Sequence, residues 1–234
     1  MNPDSRQTIH MGLNFVFSPM PVINQRGYID YQDALLTRGV EVSKTGFADQ
    51  REILVAREPP ASLEVKVSAL GPPSVAQLLI LAPNPLYDWE SFAKEAEAIV
   101  TAFESTWPEP NRQLIRCDVT LRDLYETSAE HAFQELWETR LRQPSDSLAA
   151  FGRPVLGGGL RFVMPSLSDE PQPVQIEVKI ESFLRDTKKI FVETQFVWLV
   201  PSAPGTQFDP VSRLRRVDDY VEHQVLSFIL GGSR

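Results

Sequence analysis

The side chains in this chain that could do chemistry are few, and their spacing limits what each can do. Three histidines, His10, His131 and His223, stand in different segments without ligand spacing, and a single cysteine, Cys117, offers no thiolate cluster, so no metal site is expected. Cys117 as a nucleophile would need a nearby base and partial exposure. Its alternate neighbours Ile115, Val119 and Leu121 instead put it on an apolar strand face, as a buried thiol. Gly157-Gly158-Gly159 lacks the lysine and hydroxyl residue that follow a phosphate-binding loop and runs into an apolar strand, so a kink or bulge is expected there.

Two constellations remain. Glu64, Lys66, Arg116, Asp118, Arg122, Glu177, Lys179 and Glu193, with Glu181 and Gln195, alternate with apolar residues along their segments. They could form a charged floor that binds a polar ligand or partner, with the arginines clamping an anion through paired hydrogen bonds. They could equally be a solvated sheet face whose cross-strand ion pairs each contribute little. Arg213, Arg215 and Arg216 fall in the first turns of the last helix, where positive charge opposes the macrodipole, and Arg213 with Arg216 is the candidate anion site. Asp209, Asp218 and Asp219 are close enough in sequence to pair with these arginines instead. No catalytic set and no cofactor-binding motif is found, so neither is expected.

Composition bounds the rest. A chain of 234 residues, 42% hydrophobic and 9% aromatic, can bury a sizeable core. Its net charge of -8 repels a phosphate backbone, so a dedicated nucleic-acid partner is not expected. The longest apolar run outside helices, Leu78 to Ala82, falls far short of the roughly 20 residues a spanning helix needs, and no membrane partner is expected. A lone cysteine and an opening segment without a secretory pattern point to a reducing cytoplasm.

The elements that must position these residues follow from periodicity. Residues 88–107 form a strongly amphipathic helix, capped by Asp88, with Trp89, Phe92, Ala93, Ala96, Ile99, Val100, Phe103 and Trp107 on one stripe. Before it come a strand over 9–17, a short helix over 28–38, and strands at 52–56, 63–67 and 77–82. After it, 112–125 alternates as a half-buried strand. Thr127 and Glu130 make a capping box for a helix that carries Ala129, Ala132, Phe133, Leu136 and Trp137 and ends before Pro144. Residues 143–152 read as linker, and strands at 153–164, 174–183 and 189–200 follow. The last helix is capped by Asp209, carries Leu214, Val217, Val221, Val225 and Phe228 on one stripe, and ends at Gly231-Gly232.

The order of elements repeats, and LEVKV at 63–67 is echoed by IEVKI at 176–180. The expected fold is therefore α+β, with two similar βαβββα halves, 1–107 and 108–234, closely packed, each an antiparallel sheet covered by its long C-terminal helix. In outline such a unit is similar to helix-grip and TATA-binding-protein-like folds, which occur as fused pairs. LYDWESF with its helix, the arginine-bearing strand after it and the closing HQVLSFIL resemble a sporadically distributed bacterial family of uncharacterised proteins. That resemblance implies a fold and no activity.

The functional expectation is a non-enzymatic binding or assembly protein, with an enzyme acting on a polar small molecule over the charged face as the other reading. Strand 189–200 is apolar on both sides near its ends, with Phe191, Val197 and Leu199 opposite Ile190, Val192, Phe196 and Trp198. A homodimer, or another protein partner, is expected to cover the outer set. Packing of one half's sheet on the other is the competing way to hide it.

Overall fold

The computed structural model describes residues 1–48, 51–71, 74–199, 203–206 and 208–231. Val200 at the end of the expected strand 189–200 and Gly232 at the end of the last expected helix lie outside them.

Alternating segments pair side by side in one mixed-length antiparallel sheet. Its strands are β1 (Asn2–Ser18), β2 (Lys44–Ala48), β3 (Glu52–Arg57), β4 (Leu63–Ala69), β5 (Ala76–Pro83), β6 (Gln113–Glu126), β7 (Gly159–Met164), β8 (Val174–Ser182) and β9 (Lys189–Trp198). They lie in the order β2-β3-β4-β5-β1-β6-β9-β8-β7. The central seam is the long β1–β6 pairing, where Met11 lies opposite Leu121, Leu13 opposite Val119 and Phe15 opposite Cys117. Two separate sheets, one per half, are therefore replaced by one continuous nine-stranded sheet. The reason is that β1 and β6 each have two edges to satisfy, and each uses the other. The same fact removes the packing of one sheet on another as a way of hiding the second face of β9.

The α-helices among the described residues are α1 (Gln25–Thr37), α2 (Trp89–Thr106), α3 (Ala132–Gln134), α4 (Pro210–Tyr220) and α5 (Leu226–Leu230). The helices pack on one side of the sheet. Leu13, Phe15, Val65, Ile80, Val119 and Phe196, which point to that side, are all at most 1% exposed. Side chains at the alternate positions face away and are left uncovered by helix. As expected, Asp88 caps α2 by accepting the Ser91 N–H at 2.8 Å, and Phe92, Ala93, Ala96, Ile99, Val100 and Phe103 are buried. Phe103 meets Phe17 edge-on at 5.2 Å, and Phe208 stacks on Phe15 at 4.9 Å, so the aromatic centre of the core joins α2, β1 and the loop before α4.

Several boundaries differ from expectation for local reasons. β2 was not expected, because Lys44 to Ala48 shows no alternation, yet it pairs fully with β3. A register shift between Val16 and Phe17 turns Leu114 into the core and leaves Ile115 half-buried. The Thr127–Glu130 capping box does not form. Thr127 Oγ1 donates to Glu135 instead, His131 Nδ1 accepts the Gln134 N–H, and the helix is only α3 followed by a π-helical turn, Glu135–Arg140. The stretch 145–151 is a 3-10 turn within the expected linker. The strand expected over 153–164 begins at Gly159, where an added Cβ would stand 2.4 Å from the Ile180 carbonyl, so only glycine allows the strand to close on β8.

Candidate functional site

The uncovered face of the sheet carries the charged residues, and register decides which of them meet. At one end, Arg161 on β7 makes a paired contact to Glu177 on β8, at 2.9 and 2.8 Å. Glu177 lies 3.4 Å from Lys179, whose Nζ donates to Glu193 on β9 at 2.5 Å. Glu193 in turn accepts from Arg122 Nε on β6 at 2.6 Å. Four strands are thus crossed by one alternating ladder of charge, Arg161, Glu177, Lys179, Glu193 and Arg122. Arg116 and Asp118 form a second pair within β6 at 2.8 Å, with Asn14 Nδ2 donating to Asp118 at 3.2 Å. Lys66 on β4 pairs with Glu52 on β3 at 2.6 Å. Glu64 lies opposite Ala56 and Leu81 and makes no ion pair among the described residues.

The eight expected residues therefore share one face but form three groups. Glu64 and Lys66 are separated from the ladder by β5 and β1. Sequence reasoning missed Arg161, whose signal was its position opposite Lys179 on the same face, legible only once β7 is paired in register with β8. It also missed His10, which lies opposite Arg122 and Pro83 on β1.

Electrostatics on this face favour fixed charge. The Arg161 hydrogen bonds hold the Glu177 carboxyl below the usual range. Burial pushes the Glu193 carboxyl up, but hydrogen bonds from Lys179 and Arg122 win and hold it low. Those bonds to Glu193 raise the Lys179 ammonium. His10 is pushed down to about 4 by burial and by the Arg122 charge, so it is neutral at pH 7. The Cys117 thiol, buried on the opposite face, is pushed up to about 12 by its burial. The raised carboxyl of Asp218 lies on the helix side, under α4. No group of His, Cys, Asp and Glu able to hold a metal ion occurs among the described residues.

Beside the ladder the same face turns apolar. Val163, Pro165, Pro173, Val197 and Leu199 line a depression of about 270 Å³, and Val163 and Leu199 are each 54% exposed. Phe191 and Val197 do point away from the helices while Ile190, Val192, Phe196 and Trp198 are buried beneath them.

The second constellation lies on the helix side. A cleft of about 720 Å³ opens between α2 and α4, walled by Glu97, Val100, Thr101 and Glu104 on one side and by Asp209, Arg213 and Arg216 on the other. Trp198 and Phe208 lie at its base, both 4% exposed. The Arg213 guanidinium sits 4.6 Å from the centre of the Trp198 ring and Arg216 5.9 Å from it. Of the expected aspartate partners, Asp209 accepts the Ser212 N–H at 3.0 Å, Asp218 pairs with Arg6 at 2.7 Å, and Asp219 makes no ion pair with these arginines among the described residues. Arg216 reaches Glu170 at 3.4 Å.

No protein-family model matches the chain, and no curated protein matches it. Among solved structures it is similar to the crystal structure of DynU16 from the dynemicin biosynthetic locus, at 8% identity over 83% of this chain and 87% of that one, with a TM-score of 0.23. It is also similar to the di-domain ARO/CYC BexL from the BE-7585A biosynthetic pathway, at 10% identity over 95% of this chain and 99% of that one, with a TM-score of 0.21. At these scores neither likeness assigns a fold family or a function.

Proposed function

We propose that the protein is a non-enzymatic binding protein whose partner, a second copy of the same chain, docks on the uncovered face of the sheet. The observation that carries this is the pairing of an apolar patch, in which Val163, Pro165 and Leu199 are exposed and Pro173 and Val197 half-buried, with an adjoining ladder of mutually neutralised charges. An apolar centre bordered by polar residues is the anatomy of a protein interface. The charge balance suits a copy of the same surface better than a strongly charged partner, because Arg122, Lys179 and Arg161 are matched by Glu193 and Glu177 already. General acid catalysis on this face would need a carboxyl that stays protonated, whereas Glu177 and Glu193 are held down and ionised.

The same reading takes 1–107 and 108–234 as two related halves fused along the β1–β6 seam, the first carrying β2 as one strand more than the βαβββα order of the second. It is supported by the like connectivity of β3, β4, β5 and α2 and of β7, β8, β9 and α4, with the strands ordered oppositely about the seam.

Light scattering at micromolar concentration tests the dimer. The expected mass is twice 26.4 kDa, falling to 26.4 kDa in a Val197→Asp, Leu199→Asp variant that keeps the wild-type circular dichroism. A wild-type mass of 26.4 kDa overturns self-association through this face.

A further inference from the structure

We infer that the cleft between α2 and α4 is a binding site for a small organic carboxylate that also carries an ammonium group. Arg213 is the centre of the argument. Its Nε and Nη1 are buried and have no hydrogen-bond partner among the described residues, and the same is true of Nε1 of Trp198, on which it stacks. A guanidinium held against an indole with unmet donors is unfavourable by itself, since such donors cost free energy when left unpaired. An anion entering the cleft meets the side of the Arg213 guanidinium that lines it, next to Arg216, and balances a charge that has no ion pair among the described residues; the buried Nε and Nη1 gain an acceptor only when the side chain turns toward the ligand. The N-terminal turn of α4, which contributes Pro210, Ser212 and Arg213 to the wall, adds to the attraction.

The opposite wall selects among anions. Glu97 and Glu104 face the same space from α2; Glu104 accepts the Phe208 N–H at 3.3 Å, while Glu97 makes no ion pair among the described residues. Two or three carboxylates near a phosphate dianion would repel it, whereas a ligand with a single negative charge and a positive end satisfies both walls. Val100, Phe208 and Trp198 provide apolar contact between the ends, and a cleft of about 720 Å³ is within the ordinary range for small-molecule sites. This site lies on the helix side and is independent of the dimer face.

The test follows the indole N–H signal of Trp198 in a 15N correlation spectrum, assigned with Trp198→Phe, during titration with 4-(aminomethyl)benzoate. A saturable shift with a dissociation constant of about 1 mM or tighter is expected, with benzoate and inorganic phosphate about tenfold weaker or worse. Glu97→Gln should bring 4-(aminomethyl)benzoate down to the level of benzoate. Arg216→Gln should weaken both carboxylates, and Arg213→Gln should abolish binding while the signals of Trp89, Trp107 and Trp137 report a retained fold. Absence of a saturable shift overturns the site, as does tighter binding of phosphate than of 4-(aminomethyl)benzoate. Unchanged affinity in Arg216→Gln and Glu97→Gln overturns it equally, even where Arg213→Gln does not fold.

Discussion

At the scale of single residues, the costliest arrangement is a buried charge cluster between β1, β6 and α4. Arg6 lies 3.1 Å from Asp123 and 2.7 Å from Asp218, and the two carboxylates are almost wholly buried. Thr8 Oγ1 donates to Asp123 at 2.7 Å. One arginine thus serves two acids that cannot reach water, which leaves one negative charge over if both ionise, and burial is what raises the Asp218 carboxyl despite the Arg6 charge. Arg6→Met is expected to cost about 3–5 kcal/mol of stability, because removing one partner strands the others. Urea denaturation measures it, and a loss under about 1 kcal/mol would mean that the cluster is effectively solvated. His10 predicts a pH dependence. Its folded value, about 4, is depressed below the ordinary 6.5, so between those values the unfolded chain binds more protons than the folded one. His10 therefore stabilises the fold fully above pH 6.5, and its contribution is lost as pH falls toward 4. The urea midpoint of His10→Gln should fall less steeply over that window than the wild type's; parallel curves would contradict the burial argument.

At the scale of elements, helix phase governs what the helices bury. α2 is regular over 18 residues, so its stripe stays in register and ends on Phe103 against Phe17 and Phe208. Phe103→Ala should cost about 3–5 kcal/mol, read from the denaturation midpoint, as is usual for a buried aromatic. The C-terminal helix behaves otherwise. A π-helical turn at Val221–Val225 inserts one residue into the period, so Ile229 is buried and Phe228, expected on the stripe, is 47% exposed against Phe162. Deleting the exposed His223 within that turn should convert it to regular helix and keep Ile229 in the core, leaving the melting temperature within a few degrees of the wild type. Deleting the exposed Thr101 in α2 should rotate Phe103 out of the core and abolish cooperative melting.

At the scale of the molecule, the β1–β6 seam joins strands from both parts of the chain in one sheet. Leu13, Phe15, Cys117 and Val119 belong to one buried cluster that also holds Phe103 from α2 and Leu214 and Val217 from α4. Neither half can bury that surface by itself. Calorimetry should give a single unfolding transition, and separately expressed 1–107 and 108–234 should each fail to melt cooperatively. Two resolved transitions in the whole chain would show that the seam is a docking surface between independent domains.

The sequence by itself determined the α+β class, the amphipathic α2 with its aspartate cap, the two faces of β6 and β9, and the face that Glu64, Lys66, Arg116, Asp118, Arg122, Glu177, Lys179 and Glu193 share. These are legible because periods of two and 3.6 are properties of consecutive residues. What only the tertiary structure decided depends on residues far apart in the chain. That Arg161 completes the charge ladder, that β1 joins β6 to make one sheet, and that Asp218 answers Arg6 while Arg213 stacks on Trp198 without an ion pair among the described residues are all matters of pairing across long separations. A register shift or an inserted π-helical residue moves a side chain from one face to the other at the level of a single position, as with Leu114 and Phe228. Local patterning carries no record of such shifts, because the energy that selects them comes from the neighbour an element packs against.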